Sequence, residues 1–314
     1  MIKEYIVSST ERHSIWELAK EIFTHTSDHS DKTIFSNSLI VEAQLELKIR
    51  EELYRLSRTG EYDAIIFRQL VDNSLIDIET PNKVRIRRNI DYIFEIIPLL
   101  LMSATGFPIA YEVQHNGRII NDVLPVEEFK NIDNSTAGVA KRFNLHTEDA
   151  YHNFPPDFIG LFCIRNNEKA ATLVSILSDN IFTDKDYSSL FEKLFINQAN
   201  AGSAQNYNYE VKRAILFGQK SKPNIRLNTA RLPQIDNKQI SSLLSSFVDI
   251  LNENSQRVVL QSGDMIIMNN LRCVHGRDAF ETDFSVEKRW LLRVLSRRDI
   301  AECLVEPFNV NVLL

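Results

Sequence analysis

Three features are absent from the 314-residue chain, and each absence excludes a class of protein. The longest apolar run, IFEIIPLLLM at residues 93–102, is interrupted by Glu95 and Pro98 and is too short to cross a bilayer. The first residues, MIKEYIVSSTERH, lack the apolar centre and small-residue cleavage site of a signal peptide. Lysine and arginine form no basic run, and the formal net charge is −6. We therefore expect a cytoplasmic protein that binds neither membranes nor nucleic acid.

Cysteine is also scarce. Cys163, Cys273 and Cys303 are an odd number at wide spacing, with neither a CxxC pair nor a disulfide framework. We expect all three to be reduced and buried. Cys273 precedes His275 by two positions, so on a regular strand it would share a face with that histidine and could serve as a metal ligand.

The hydrophobic patterning differs between the two parts of the chain. Before residue 110 we predict helices at residues 13–25, 36–60 and 89–103, where apolar residues recur every three to four positions, and one strand at 63–70. After residue 110, short β-rich segments such as FIGLFCIR and RWLLRVLSR alternate with turn residues. Helical segments at about 185–198 and 237–254 interrupt them.

This order predicts a mainly β fold with flanking α-helices. We expect a double-stranded β-helix, or jelly roll, with an N-terminal helical layer packed against one sheet. One domain would span residues 1–314, with the helical layer at 1–109 and the jelly-roll core at 110–314. Insertions would lie at about 178–208 and 229–255, and the first, rich in Asn, Ser, Ala and Asp, is hypothesised to be a mobile lid.

The stretch FNLHTEDAYH, residues 143–152, carries the first sign of chemistry. On a strand or at its end, His146 and Glu148 point the same way, while Thr147 points away. The best third ligand is His275, just beyond the apolar strand DMIIMNN. Two histidines and one carboxylate leave coordination positions open, as in non-haem Fe(II) oxygenases, although zinc could use the same ligands.

Two arginines favour the oxygenase. Arg289 and Arg293 are four residues apart in an apolar strand and therefore face the same side. A buried arginine is costly unless it meets a carboxylate, so the pair predicts two carboxylates in one pocket.

At these residues the sequence resembles the clavaminate synthase-like Fe(II)/2-oxoglutarate-dependent dioxygenases, which include hydroxylases of free arginine, asparagine and lysine. The resemblance covers residues 110–296 and rests on five segments: QHNGRIINDVLP, LHTEDAYHNFPPDFIGLFCIRN, AATLVSI, AILFGQKSKPNIRLN and VHGRDAF…RWLLRV. It implies hydroxylation of an unactivated C–H bond of a free L-amino acid or derivative, in the making of a specialised metabolite. Fe(II) would be the cofactor, O₂ a substrate, and 2-oxoglutarate a co-substrate that is decarboxylated to succinate.

The same resemblance implies a role for each matching residue. His146, Glu148 and His275 would hold the iron and carry catalysis. Arg289 and Thr172 would bind the distal carboxylate of 2-oxoglutarate. The substrate contacts would be the amino-group contacts Gln114 and Glu148, the carboxylate contact Arg293, and the side-chain contacts Asn228 and Asn200.

One departure from the pattern concerns the substrate side chain. Arginine hydroxylases of this group carry acids in the lid and after LFG, whereas NQANAGSAQN has none and IRLN ends in Asn228. A guanidinium buried without a countercharge would be costly, so these asparagines favour an amide or other neutral polar group. Asp179, Asp184 and Asp186 near the lid keep a basic amino acid open. Two other functions also stay open: a zinc-dependent hydrolase on the same ligands, and a non-catalytic jelly-roll sensor.

Overall fold

A computed structural model describes residues 1–85, 89–112, 114–177, 187–196, 211–233 and 235–301, with the backbone of 310–311. The α-helices of these residues are α1 (Ser9–His25), α2 (Asp31–Val41), α3 (Leu47–Tyr54), α4 (Ile93–Ser103) and α5 (Lys238–Glu253). The strands are β1 (Ile2–Ile6), β2 (Ala64–Arg68), β3 (Phe107–Tyr111), β4 (Ile120–Val123), β5 (Phe143–His146), β6 (Phe158–Arg165), β7 (Thr172–Ile176), β8 (Leu216–Gln219), β9 (Lys222–Ile225), β10 (Gln256–Val258), β11 (Met265–Asn269), β12 (Cys273–Arg277), β13 (Trp290–Arg297) and β14 (Val310–Asn311). No helix in these ranges is long and apolar enough to span a bilayer.

Helix α1 begins at a capping box. The Ser8 hydroxyl accepts a hydrogen bond from the amide of Glu11 (3.3 Å), and the Glu11 carboxylate accepts one from the amide of Ser8 (2.8 Å). Its buried residues recur every three to four positions, which gives the helix one apolar face: Ile15, Leu18, Ala19 and Ile22. The helix predicted at residues 13–25 is thus confirmed, with an earlier start.

The single long helix predicted at residues 36–60 is wrong, because the helical path is broken between Val41 and Leu47. Helix α2 ends at Val41, and Leu45 adopts an extended backbone that buries its side chain before α3 starts. The predicted end is correct. Gly60 terminates the segment with φ +62°, a left-handed conformation that glycine adopts without steric cost.

The helix predicted at residues 185–198 is also not found in its described part, residues 187–196. That part contains one 3₁₀ turn, Ser188–Phe191, followed by an isolated bridge between Phe195 and Arg213. Tyr187, Leu190 and Phe195 are buried all the same, so the apolar residues of this segment reach the core without an α-helix. The helix predicted at 237–254 is confirmed as α5.

The larger sheet receives strands from both halves of the chain. Its order is β1-β2-β11-β6-β13-β3-β14, and β4 also pairs with β13. The predicted strand at 63–70 is β2, whereas β1, which pairs with it in parallel, was not indicated by the sequence pattern. Residues 1–109 therefore supply sheet as well as helix.

Side chains on the central strands alternate between the two faces of the sheet and so contribute to two separate hydrophobic cores. On β6, Phe158 and Phe162 join the core formed with α1, α2 and α4, while Ile159 and Leu161 face the smaller sheet. The smaller sheet has the order β10-β7-β12-β5. Its other face is covered by α5 through a third cluster that includes Leu173 and Phe247. The facing sheets leave a buried space between them, and the polar residues of that space form the site described next.

Candidate active site

Strands β5 and β12 bring His146 and His275 together. The two residues are directly paired across the antiparallel strands, and their ring centroids are 4.5 Å apart. A Cβ on Gly276 would lie 2.4 Å from the carbonyl oxygen of Phe143, so only glycine allows the strands to approach this closely. The glycine after His275 therefore contributes to the spacing of the two imidazoles.

Glu148 lies two residues beyond the end of β5, in a turn fixed by Asn270. The Asn270 side chain accepts a hydrogen bond from the amide of Glu148 (2.7 Å) and donates one to its carbonyl (3.2 Å). Oε1 of Glu148 then lies 3.5 Å from Nε2 of His275. One donor atom from each of His146, Glu148 and His275 lies within 4.8 Å of the others, and all three residues are buried.

The protonation states suit a divalent metal. Burial, followed by the charge of His275, lowers the pKa of His146 to about 4, so this imidazole is neutral at pH 7. Its Nδ1 donates to the carbonyl of Asn144 (2.8 Å), which leaves Nε2 as the free lone pair. Burial alone would raise the pKa of Glu148, but the Arg293 guanidinium, followed by His275, outweighs it and holds that pKa well below its usual range.

The donor set of two imidazole nitrogens and one carboxylate fits Fe(II). Cys273 is not part of it. The Cys273 thiol donates to the carbonyl of Asp63 (3.3 Å), and burial raises its pKa above the usual range, so the thiolate that a metal requires is disfavoured. The cysteine ligand left open by the sequence is therefore not supported.

Beside the three donors, the space between the sheets contains cationic and hydroxyl groups. Its lining includes Thr172, Arg277, Arg289 and Arg293 together with Glu148 and His275. Arg289 is 3% exposed, and its Nε has no hydrogen-bond partner in the described part of the chain. Burial lowers the pKa of Arg289, which shows that the surroundings do not fully compensate its charge. This is the environment expected where an anionic ligand binds.

Arg293 faces the same space but has partners. Its Nη1 lies 3.2 and 3.1 Å from the two Glu148 oxygens, and its Nη2 donates to Oδ1 of Asn121 (3.0 Å). Asn121 is paired with Arg293 across β4 and β13 and donates to the carbonyl of Arg118 (2.8 Å). Its fixed amide thus orients the guanidinium toward Glu148. The prediction that the two arginines face one pocket is confirmed.

Gln114 and Asp149 form a second polar group. The Gln114 amide nitrogen donates to Asp149 (2.7 Å) and to the Tyr151 hydroxyl (2.8 Å), which leaves the amide oxygen as an acceptor. Asp149 has φ +49°, and burial, followed by the charge of Glu148, raises its pKa to about 6. An acceptor oxygen at this position suits an ammonium group.

Of the remaining predicted residues, one lies within the described ranges and the others lie outside them. Asn228 forms an isolated bridge with His146, so its backbone adjoins the donor cluster, and its side chain accepts from the amide of Ala230 (3.0 Å). Asn200, Cys303 and the acids Asp179, Asp184 and Asp186 lie outside the described residues, as does most of the predicted lid.

Two further residues, Asn121 and Arg277, were not identified from the sequence as single residues. Both stand inside the motifs quoted for the family resemblance, RIIND and VHGRDAF. A contact across paired strands becomes visible only once the register is known, so spacing along the chain did not show the partner of either residue.

Comparison with known proteins agrees with this geometry. Residues 186–295 match the family model of the taurine catabolism dioxygenases, the TauD, TfdA family. An L-ornithine/L-arginine 3-hydroxylase of Catenulispora acidiphila is 27% identical, over 66% of this chain and 67% of that one. An L-lysine 4-hydroxylase of Niastella koreensis is 28% identical, over 94% of this chain and 85% of that one.

Among solved structures, asparagine oxygenase in complex with Fe(II), 2S,3S-3-hydroxyasparagine and succinate matches with a TM-score of 0.87. It is 21% identical and covers 97% of each chain. These similarities support a clavaminate synthase-like Fe(II)/2-oxoglutarate-dependent oxygenase. The prediction of a mainly β fold with helices is confirmed at the level of this structural match.

Proposed function

We propose that this oxygenase hydroxylates an unactivated C–H bond of a free L-amino acid. The observation that carries the proposal is the convergence of His146, Glu148 and His275 within 4.8 Å, next to the unpartnered Nε of Arg289. The two facing sheets would be the halves of a jelly roll in one domain, with α1, α2 and α4 as its helical layer and the segment at about 178–208 as its lid. The hydroxylases of ornithine, arginine and lysine named above support an amino-acid substrate.

The proposed division of labour follows from the charges in the cavity. Nε2 of His146, the Glu148 carboxylate and His275 would hold Fe(II), which supplies with 2-oxoglutarate and O₂ the oxidising power for C–H hydroxylation and for decarboxylation to succinate. Arg289 and the Thr172 hydroxyl would bind the distal carboxylate of 2-oxoglutarate. The protein's own contribution is to orient both substrates and to exclude water.

The amino-acid substrate would lie on the Arg293 side of the donor cluster. Arg293 would bind its carboxylate, and the free oxygen of Gln114 together with Glu148 would accept hydrogen bonds from its ammonium group. Asn228, whose backbone adjoins His146, would approach the substrate side chain together with Asn200. The absence of an acid at position 228 favours a neutral polar side chain over a guanidinium.

A product assay tests the proposal. Purified enzyme is incubated with Fe(II), ascorbate, 2-oxoglutarate and, one at a time, the standard amino acids and ornithine. Mass spectrometry should find one amino acid that gains a single oxygen atom, with matching succinate formation and O₂ consumption. The Glu148→Ala variant, which loses one proposed ligand, should give no product.

Two results would overturn the proposal. Turnover of a substrate with zinc and without O₂ would indicate the hydrolase instead. No succinate and no oxidised product with any amino acid would favour the non-catalytic sensor.

A further inference from the structure

Arg277 belongs to the same buried space as Arg289, although nothing in the sequence pattern assigned it a role. It is the last residue of β12, two positions after His275, and it is directly paired with Thr172 on β7. Paired residues of adjacent strands project to the same face of a sheet. Arg277 and Thr172 accordingly line the space between the sheets together, and Arg289, directly before β13, belongs to the same lining.

The charge of Arg277 is not compensated by a hydrogen-bonded carboxylate in the described ranges. The residue is 5% exposed, and its guanidinium donates only to carbonyl oxygens, those of Asp278 (3.2 Å), Thr136 (3.4 Å) and Lys141 (3.4 Å). Two of these three distances are long for a charged donor. Two of the five N–H groups of this guanidinium, and the two that make long contacts, therefore remain for a better acceptor.

Arg289 adds a second positive charge to the same space, and the two guanidinium groups repel one another. Glu168 is the carboxylate that acts on Arg289. Its Oε1, however, accepts hydrogen bonds from the backbone amide of Arg289 (3.0 Å) and from the Thr282 hydroxyl, rather than from the guanidinium. Two buried cations beside one carboxylate leave an excess of positive charge, which favours binding of an anion between them.

We propose that Arg277 is a second cationic contact for the distal carboxylate of 2-oxoglutarate, in addition to Arg289 and beside Thr172. The inference rests on the 2-oxoglutarate dependence of the enzyme and goes beyond the Arg289 and Thr172 pair. Arg277 selects a dicarboxylic 2-oxo acid over one with an apolar end. The alternative is that Arg277 only holds the loop at residues 136–141 against β12 through its carbonyl contacts.

The test compares two 2-oxo acids of equal chain length. 2-Oxoglutarate carries the distal carboxylate, and 2-oxopentanoate carries a methyl group in its place. Their dissociation constants are measured by calorimetry on the anaerobic Fe(II)-loaded protein, without an amino acid, for the parent chain, Arg277→Leu and Arg277→Lys. Because no turnover is required, this measurement can fail or succeed independently of the proposed hydroxylation.

Arg277→Leu should weaken binding of 2-oxoglutarate by about tenfold or more, the loss expected for a charged hydrogen bond, and change binding of 2-oxopentanoate by less than about twofold. Arg277→Lys should weaken binding of 2-oxoglutarate by a smaller factor. The matched control is Lys141→Met, because the Lys141 side chain is 60% exposed and pairs with Asp133. It should bind both acids as the parent does.

Equal weakening of both acids by Arg277→Leu would assign Arg277 to the loop and overturn the proposal, as would unchanged binding of 2-oxoglutarate. Thermal unfolding of each variant identifies one that does not fold. If Arg277→Leu does not fold, Arg277→Lys decides alone, because it retains the charge but not the planar guanidinium. In that case Arg277→Lys must weaken binding of 2-oxoglutarate and leave binding of 2-oxopentanoate unchanged.

Discussion

Replacement of Arg293 by leucine is the substitution whose effect can be worked out most fully from the contacts. The side chain is 7% exposed and lies beside both oxygens of Glu148 at 3.1 and 3.2 Å. A bound metal would take over part of the charge of Glu148, which frees the guanidinium for a substrate carboxylate. Charged hydrogen bonds contribute about 1.5–3 kcal/mol each, so loss of a two-point contact should cost about 3 kcal/mol or more.

That loss corresponds to weaker amino-acid binding by on the order of 100-fold. The assay is calorimetry on the anaerobic Fe(II)- and 2-oxoglutarate-loaded enzyme, with the amino acid identified by mass spectrometry. Affinity for 2-oxoglutarate should stay within about threefold, because Arg289 is intact. Asn121→Ala, which keeps the charge but removes the Nη2 contact, should weaken amino-acid binding by only about 5-fold, because Arg293 stays in place and loses only its orienting partner. Equal losses for both ligands in Arg293→Leu would refute the separation of the two arginines.

Three further predictions follow from the site. Arg289→Leu should weaken 2-oxoglutarate binding by on the order of 100-fold and change amino-acid binding little, measured by the same calorimetry; the opposite order of effects would contradict the assignment. Gly276→Ala should lower Fe(II) affinity by at least about tenfold in an anaerobic titration, because the new Cβ forces β5 and β12 apart; unchanged affinity would show that the close approach is unimportant. In the metal-free protein, burial lowers the pKa values of His146 and His152 to about 4, so the unfolded chain binds these protons first as pH falls below about 6.5. The free energy of unfolding, measured with urea, should therefore decrease from about pH 6.5 to about pH 4, by about 3 kcal/mol per histidine. The raised pKa of Asp149 offsets part of this decrease. A free energy of unfolding that rises as the pH falls through this range would contradict the burial of neutral histidines.

The donor cluster could be predicted because the positions of its residues follow from short stretches of sequence. His146 and Glu148 are two residues apart at a strand end, and His275 follows an apolar strand, so period-two alternation already places their side chains. The common face of Arg289 and Arg293 follows from the same rule. The structure adds that Gly276 sets the distance between the two histidine strands.

The partners of these residues could not be predicted, because they depend on strand register. Asn121 meets Arg293 because β4 pairs with β13, and Arg277 meets Thr172 because β12 pairs with β7. No spacing along the chain encodes either contact. The failed helix predictions have a related cause. The apolar spacing at residues 36–60 resembles a helix, but burial of Leu45 requires a bend that only the packed core reveals.

The pairing of charges also explains how one cavity could hold two acidic ligands in different places. Arg293 is neutralised by Glu148 in the absence of a metal, whereas Arg289 and Arg277 are not neutralised by a comparable hydrogen-bonded carboxylate in the described residues. A dicarboxylate should therefore bind first on the Arg289 side. Binding of the amino acid to Arg293 should then depend on the metal, because the metal competes with Arg293 for Glu148.

The proposed activity depends most on His146, Glu148 and His275 sharing one ferrous ion. An anaerobic titration with Fe(II) tests this directly on the parent chain, on His146→Ala and His275→Ala, and on His152→Ala as a buried histidine outside the donor cluster. We predict one equivalent of tightly bound Fe(II) in the parent and in His152→Ala, and loss of that binding in both other variants. Undiminished binding of Fe(II) by His146→Ala and His275→Ala would contradict the metal centre.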